Sequence, residues 1–428
     1  MAATPAGAPG RPSAIPAFRR GRWHESLDTV GVSAGLALSV VPAVVIDADA
    51  RVASSVVPLA GQPDFTERRR MLQDALDLFD GGDVDCGPFG TQSAHEFRAL
   101  MRTVAGLPAA LTDRWIGILR TQFGVAVRGA APDAADRGTA GRSGRTLISL
   151  PANTFTCLEA IVQSALDGDD VWVRPSRREP VSALRLVAAL RQAGWPPDRL
   201  GLYPTVPAAL SRLMAATDRH IVFGGAELGS RLAGSPGLDL RGPGRGLAVV
   251  PAGTAPDRAA AWLLPLLAAD SGRFCSNVCT VVCEDDPEPV AAALAEHLDA
   301  ISLDPVDPAF PQASVGHEPA RAQATADAVA SRLGPADSLR TRRNLLHQES
   351  AEDGRDGQRF LAPSLVLLAN PGTAGRPHPL LAFEAPFPFA AVCRADPDGD
   401  VVAMLRQASR FVSTYRPPDR VPHDEGVA

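Results

Sequence analysis

The segment SGRFCSNVCTVVCED, from Ser271 to Asp285, holds three of the six cysteines, Cys275, Cys279 and Cys283, at equal spacing. Three thiolates can share a metal, or one can act as a nucleophile while the others pack. The spacing speaks against the metal. C-x3-C-x3-C lacks the two close pairs of a zinc site and is not an iron–sulfur run. No histidine lies nearby, and the eight in the chain form no H-x3-H pair. Residues four apart in a strand share a face, so Cys279 and Cys283 read as small buried hydrophobes. Cys275 differs. It follows a helix stop at Gly272 and precedes a strand, so a substrate can reach it on the intervening loop. The reactive form is the thiolate, which needs donors or a cation nearby, and Arg273 is the closest cation in sequence. Cys86, Cys157 and Cys393 lack such a setting and read as structural.

The elements around this loop set its context. From Thr146 strand and helix alternate: TLISL, FTCLEAIVQSAL, DVWVR, VSALRLVAALRQAG, LGLYPT, PAALSRLMAAT and HIVFGG. This is the pattern of a parallel sheet wound by helices. Such sheets bind ligands beyond the carboxyl ends of their strands, here Pro151 to Asn153, Arg174 to Ser176, and Gly224 to Gly225. A second alternating set starts at GLAVV, Gly246 to Val250, and continues through DRAAAWLLPLLAAD, CTVVC, PVAAALAEHLDAI, FLAPSLVLLAN, FPFAAVCRA and DVVAMLRQASRF. Two Pro- and charge-rich stretches, about 303–318 and 339–358, read as surface loops. Ahead of both sets, DFTERRRMLQDALDLFDGG predicts an amphipathic helix with an Asp64–Glu67 capping box. A further helical region spans about 93–123, and a Gly-rich polar connector follows it. The expected divisions are 1–25 as a disordered N-terminus, 26–245 as a nucleotide-binding domain, 246–413 as the cysteine domain, and 414–428 as a flexible tail.

Composition bounds the function. The 428 residues suit two domains, and 45% hydrophobic content suffices for globular cores. A net charge of -6 without long like-charge blocks argues against nucleic acid as a partner. All 42 basic residues are arginine, which excludes Schiff-base chemistry and a lysine-type phosphate loop. Scattered cysteines predict a reduced, cytoplasmic protein. The apolar run Val30 to Ile46 is short, carries Pro42, and is flanked by Asp28 and Asp47. It therefore reads as buried strands and not as a membrane span.

Four segments together resemble the aldehyde dehydrogenase superfamily, in family order across about 146–411. They are LPANTFTCLEAIVQSALDGDDVWVRPSRREPVSALRLVAALRQAGWP, HIVFGGAELG, SGRFCSNVCTVV, and RFLAPSLVLLA with LLAFEAPFPFAAVCR. The resemblance implies an α/β fold of two Rossmann-like domains, one for the cofactor and one for catalysis. It implies Cys275 as nucleophile and Asn153 as a side-chain donor to the oxyanion. It implies Arg174, Ser176, Gly224, Gly225 and Glu384 as contacts to NAD(P)H, and no metal. Taken alone, Asn153 would read as a helix N-cap, Arg174 as a surface charge, Gly224–Gly225 as a tight turn, and Glu384 as a structural carboxylate.

Two departures from the family pattern bear on the reaction. Aldehyde oxidisers carry a general-base glutamate after the glycine turn, but the matching segment RGPGRGLAVV, Arg241 to Val250, has no carboxylate. Without that base, hydrolysis of a thioester intermediate should be slow. The segment resembles the CoA-acylating and fatty acyl-CoA reductase branches, and related reductases of secondary metabolism. The expected activity is therefore NAD(P)H-dependent reduction of an acyl thioester, CoA- or carrier-bound, to an aldehyde. The alternatives are NAD(P)+-dependent aldehyde oxidation, or a non-catalytic partner subunit. The second departure is that family members continue for some tens of residues past the helix resembling DVVAMLRQASRF, where a strand serves oligomerisation. This chain nearly stops at Tyr415, so the last elements are dispensable, or a partner subunit is needed, or activity is lost; the expected partners are an acyl carrier protein or a homologous subunit, in a homo- or hetero-oligomer.

Overall fold

The computed structural model describes residues 13–32, 35–55, 63–129, 144–301, 316–347 and 359–416. The chain forms two compact units, Met1–Gly242 and Pro243–Ala428. The polar connector after residue 129, most of both expected surface loops, and the tail beyond residue 416 lie outside the described residues.

The first unit is built on a seven-stranded sheet. Its strand order is Leu238–Arg241, Arg219–Phe223, Arg145–Ser149, Asp170–Arg174, Leu200–Leu202, Ala17–Arg19 and Arg22–His24. The first five strands run parallel. The central strands are apolar through their middles, with Leu147, Ile148, Val171, Trp172 and Val173 all buried, as a parallel sheet between helices requires. Helix Val181–Gln192 is buried over ten consecutive residues. Helix Phe65–Gly81 begins with the expected capping box, Glu67 N donating to Asp64 Oδ1 at 2.8 Å and Asp64 N to Glu67 Oε2 at 3.1 Å. The helical region after it is two helices, Ala94–Ala105 and Ala109–Gly129. They part where Gly106 takes a left-handed φ of 70° and Pro108 follows.

Arg185 locks these layers together. It is fully buried, and its guanidinium donates to the carbonyls of Phe79 (2.7 Å), Gln92 (2.8 Å), Leu78 (3.0 Å) and Gly82 (2.7 Å). One side chain thereby satisfies two of the last carbonyls of helix Phe65–Gly81, Leu78 and Phe79, while Arg98 holds that of Asp80.

The expected disorder needs correction over residues 13–25, while residues 1–12 lie outside the described residues. Ser13–Ile15, Ala17–Arg19 and Arg22–His24 are strands. Their Pro- and Gly-rich setting obscures two side chains that bury completely, Ile15 and Phe18. Phe18 packs on Trp23 at 4.8 Å, and Arg19 pairs with the buried Asp49. The run Val30 to Ile46 is also only partly strand. Thr29–Gly31 and Leu36–Ser39 are strands, but helix Ala43–Ser55 starts after Pro42, whose carbonyl accepts from Val45 and Ile46. Among the described residues no helix is long and apolar enough to cross a membrane.

The second unit has a six-stranded sheet in the order Ser338–Leu339, Ser364–Leu367, Phe389–Arg394, Val278–Cys283, Gly246–Val250 and Val412–Thr414. Every neighbouring pair is parallel except the first. Helices Pro256–Ala268 and Glu288–Asp299 contribute to the core on one face of the sheet, and Pro319–Ala330 and Asp400–Ala408 to that on the other. Helix Pro319–Ala330 is absent from the sequence reading, because its buried stripe is only Ala322, Ala326 and Val329. Residues 414 and 415, expected in the tail, belong to the second unit's ordered part. Val412–Thr414 pairs with Gly246–Val250, and Tyr415 is buried with its ring 5.5 Å from Trp262.

Candidate active site

In the first unit the chain runs from Arg145–Ser149 outward through Asp170–Arg174 to Leu200–Leu202. It then returns to place Arg219–Phe223 on the other flank of Arg145–Ser149. The strand order reverses there, and a crevice beyond the carboxyl ends at such a point is where open α/β sheets bind ligands. Asn153, Arg174, Ser176, Gly224 and Gly225 all follow or end strands on this edge. The Asn153 loop is anchored by Phe155, whose ring inserts edge-on among Phe79 (6.1 Å), Phe97 (6.2 Å) and Trp115 (5.3 Å). The short 3-10 turn Thr156–Leu158 has no side-chain cap, so Asn153 is not its N-cap.

Arg174 ends its strand beside Ser149. Its Nε donates to Thr205 Oγ1 at 3.0 Å and its Nη1 to Ser149 Oγ at 3.2 Å. Burial, and then the neighbouring Arg177, pull its pKa down to about 10, so it remains a cation at neutral pH. Ser176 is buried and its Oγ accepts from Arg178 N at 3.2 Å, which braces the turn. At Gly224 a β-carbon would lie 2.5 Å from Leu228 Cδ2, so the Leu228 side chain would have to move to admit one. At Gly225 a β-carbon would meet nothing within 4 Å, so the backbone on that side is open to a ligand.

In the second unit the residues of interest gather at the opposite end of their strands. Cys275 precedes Val278–Cys283, Gly244 precedes Gly246–Val250, and Glu384 precedes Phe389–Arg394. The approach to Cys275 is strained. Asp270, Ser271 and Gly272 are consecutively left-handed, with φ of 52°, 57° and 66°, and all three are buried. Each non-glycine residue in this region costs about 1–2 kcal/mol. Such strain persists only where the surroundings impose it, and it clusters at functional sites. Gly272 is obligatory, because a β-carbon would come within 2.5 Å of Pro388 N. Asn277 closes the turn. Its Oδ1 accepts from Phe274 N at 2.8 Å, and its Nδ2 donates to the carbonyls of Leu266, Leu267 and Ala269 at 3.1–3.3 Å. Cys275 is left exposed on this braced turn.

Glu384 lies beside it. Its Oε1 accepts from Gly244 N at 2.7 Å and Arg245 N at 2.8 Å. Although Cys275 is exposed, the protein around its sulfur displaces enough water to push the thiol upward, and the Glu384 carboxylate adds to this. A backbone hydrogen bond and Arg410 act in the opposite direction. Arg273 does not serve as the expected cation; it is buried, and its charge bears on His317. Cys279 and Cys283 are buried in the strand, so the three evenly spaced thiols do not converge. Both are pushed up to about 12, first by burial. Sequence reasoning missed Gly244, Asn277 and the Asp270–Ser271 pair. Gly244 had a visible signal in its GPG segment, and Asn277 in lying two residues after Cys275.

A two-unit α/β chain with this order of elements has the fold of the aldehyde dehydrogenases. No protein-family model matches the sequence, and neither does any curated protein. Among solved structures, the NAD-dependent aldehyde dehydrogenase of Sinorhizobium meliloti is similar at a TM-score of 0.72 and 16% identity, over 95% of this chain and 83% of that one. The NADP-dependent glyceraldehyde-3-phosphate dehydrogenase of Bacillus halodurans C-125, complexed with NADP, is similar at 0.69 and 16%, over 96% and 92%. The salicylaldehyde dehydrogenase of Pseudomonas putida G7, complexed with salicylaldehyde, is similar at 0.68 and 13%, over 95% and 91%.

Proposed function

We propose that the chain is an NAD(P)-dependent oxidoreductase of the aldehyde dehydrogenase superfamily that acts on the aldehyde or acyl group through Cys275. The observation that carries this reading is the exposed Cys275 three residues beyond a run of three consecutive left-handed residues. A strained, braced turn that presents one thiol is the arrangement of a nucleophile. Oxidation of an aldehyde is the direction that agrees with the similar structures, which are named for aldehydes.

The Cys275 sulfur, as thiolate, adds to the carbonyl carbon and forms an S–C bond, which leaves negative charge on the oxygen. Asn153 is proposed to donate its amide N–H to that oxyanion, a contribution often worth about 3–4 kcal/mol. Collapse of the adduct breaks the C–H bond and leaves a thioester on Cys275, which water or a second thiol displaces. A bound nicotinamide supplies the hydride acceptor for oxidation, or the donor for reduction.

The residues suit such a cofactor. The open backbone at Gly225 and the Arg174 cation share the carboxyl edge of one parallel sheet, with Ser176 and Gly224 beside them. Among the described residues Glu384 Oε2 accepts no hydrogen bond, so it is available to a ribose hydroxyl.

Reduction of an acyl thioester is the second reading. It is favoured by the segment Arg241 to Val250, which has no carboxylate to activate water. Arg241 stands there instead and pairs with Glu159 and Asp239. The test is NAD(P)H formation from an aldehyde panel and NAD(P)H consumption with an acyl-CoA panel, in wild type and Cys275→Ala. Turnover of one panel only sets the direction. Equal rates in the two proteins would remove Cys275 from the mechanism.

A further inference from the structure

Residues 382–388 form a strap that touches the nucleophile turn, the strand after it and the loop packed against it. Ahead of Cys275, the Gly272 backbone packs on Phe387 and Pro388 so tightly that no side chain fits. Behind it, Ala382 N donates to Thr280 Oγ1 at 2.9 Å. Beside it, the Glu384 carboxylate holds Gly244 N and Arg245 N. Gly244 in turn lies so close to the Cys275 carbonyl that a β-carbon would overlap it, and the Gly244 carbonyl accepts from Arg410 N at 2.9 Å. The contacts of Glu384 with these amides are made by the protein alone. They place a carboxylate oxygen one hydrogen bond away from the residue packed against the thiol-bearing backbone.

We propose that Glu384 is a positioning residue for Cys275, its carboxylate stapling the backbone of Gly244 and Arg245 onto the nucleophile turn independently of any cofactor. This rests on the assignment of Cys275 as the working thiol. Two charged side chains bear on that thiol, Glu384 as an anion and Arg410 as a cation. Glu384 thus has two separable effects. Its oxygen orders the Gly244–Arg245 backbone, and its charge adds to burial in raising the thiol.

Glu384→Gln separates them, since the amide oxygen accepts the same two N–H groups without the charge. The experiment uses the cofactor-free, full-length protein. Alkylation of Cys275 by iodoacetamide is followed against pH, with the site identified by mass spectrometry, and hydrogen exchange is measured at the Gly244 and Arg245 amides. In Glu384→Gln the alkylation midpoint should fall by about half a pH unit or more while amide protection is kept. In Glu384→Ala the midpoint should fall similarly, and the two amides should exchange about tenfold faster. Equal exchange in wild type and Glu384→Ala, or one midpoint shared by all three proteins, would overturn the proposal. These readouts need no turnover. An active Cys275→Ala protein would refute the nucleophile, whereas unchanged amide exchange in Glu384→Ala would refute the staple.

Discussion

The Gly244 α-carbon faces the Cys275 carbonyl so closely that a β-carbon at position 244 would overlap the carbonyl oxygen. The loop that lacks the expected base is therefore pressed directly onto the loop that carries the thiol. Glycine is required here by close approach, since its φ is not among the positive values.

Gly244→Ala should displace the Cys275 turn and reduce turnover on the order of 10²-fold, the usual effect of misplacing a reacting group by about an ångström. The measurement is kcat for the best substrate of either panel, with circular dichroism to show a retained fold. Gly225→Ala, where space is open, should leave the fold intact and alter only cofactor binding.

Arg174 is held by Ser149 and Thr205 at the carboxyl edge of the sheet. If it meets the dinucleotide as proposed, Arg174→Ala should weaken NAD(P)H binding about tenfold, the loss of one charge-assisted hydrogen bond. Fluorescence titration with NADH and NADPH measures this, and unchanged affinity for both would exclude Arg174 from the cofactor site.

Stability should fall at both pH extremes, for opposite reasons. Cys86, Cys279, Cys283 and Cys393 are pushed up from 9.0 to about 12, first by burial. The unfolded chain releases these protons near pH 9 while the native state keeps them. The contribution is therefore complete below pH 9 and is lost as pH rises toward 12. His317 is the converse. Burial first, then Arg273 and Arg321, lower it from 6.5 to about 3, so its contribution is complete above pH 6.5 and is lost as pH falls toward 3. Urea midpoints should drop between pH 8 and 10.5, less so in Cys393→Ala. They should also drop between pH 7 and 5, less so in His317→Leu.

Arg185→Ala should destabilise the first unit by about 3 kcal/mol or more, because it removes the guanidinium donor from the buried carbonyls of Phe79, Gln92 and Gly82 and leaves Leu78 only its bond from Gly82 N. Arg185→Lys should recover little, since a single ammonium cannot reach acceptors spread around a planar fork. Urea denaturation of the three proteins measures the effect.

Strands such as Asp170–Arg174 and Val278–Cys283 were legible because continuous apolar runs between helical periods mark a parallel sheet. The exposure of Cys275 and the burial of Cys279 and Cys283 followed from loop against strand. The N-terminal strands were not legible, because Phe18 and Ile15 sit among prolines and glycines and gain their burial from partners far along the chain. The left-handed Asp270–Ser271 pair was hidden for a related reason. Neither residue type announces a positive φ, and only the glycine that follows them, Gly272, is pressed against Phe387 and Pro388. Arg273 is near Cys275 in sequence, but it is buried and its charge bears on His317.

The strap that encloses the nucleophile turn also sets when that turn can form. Its bonds join residues far apart in the chain, 140 positions between Gly244 and Glu384 and 102 between Thr280 and Ala382. Loops of that length close late in folding, after local helices and hairpins are in place. Until then Cys275 is an ordinary cysteine in a flexible chain. Its slow alkylation is consequently a clock for the final stage of assembly, and a pulse of iodoacetamide during refolding would date the arrival of residues 382–388 without any substrate being known.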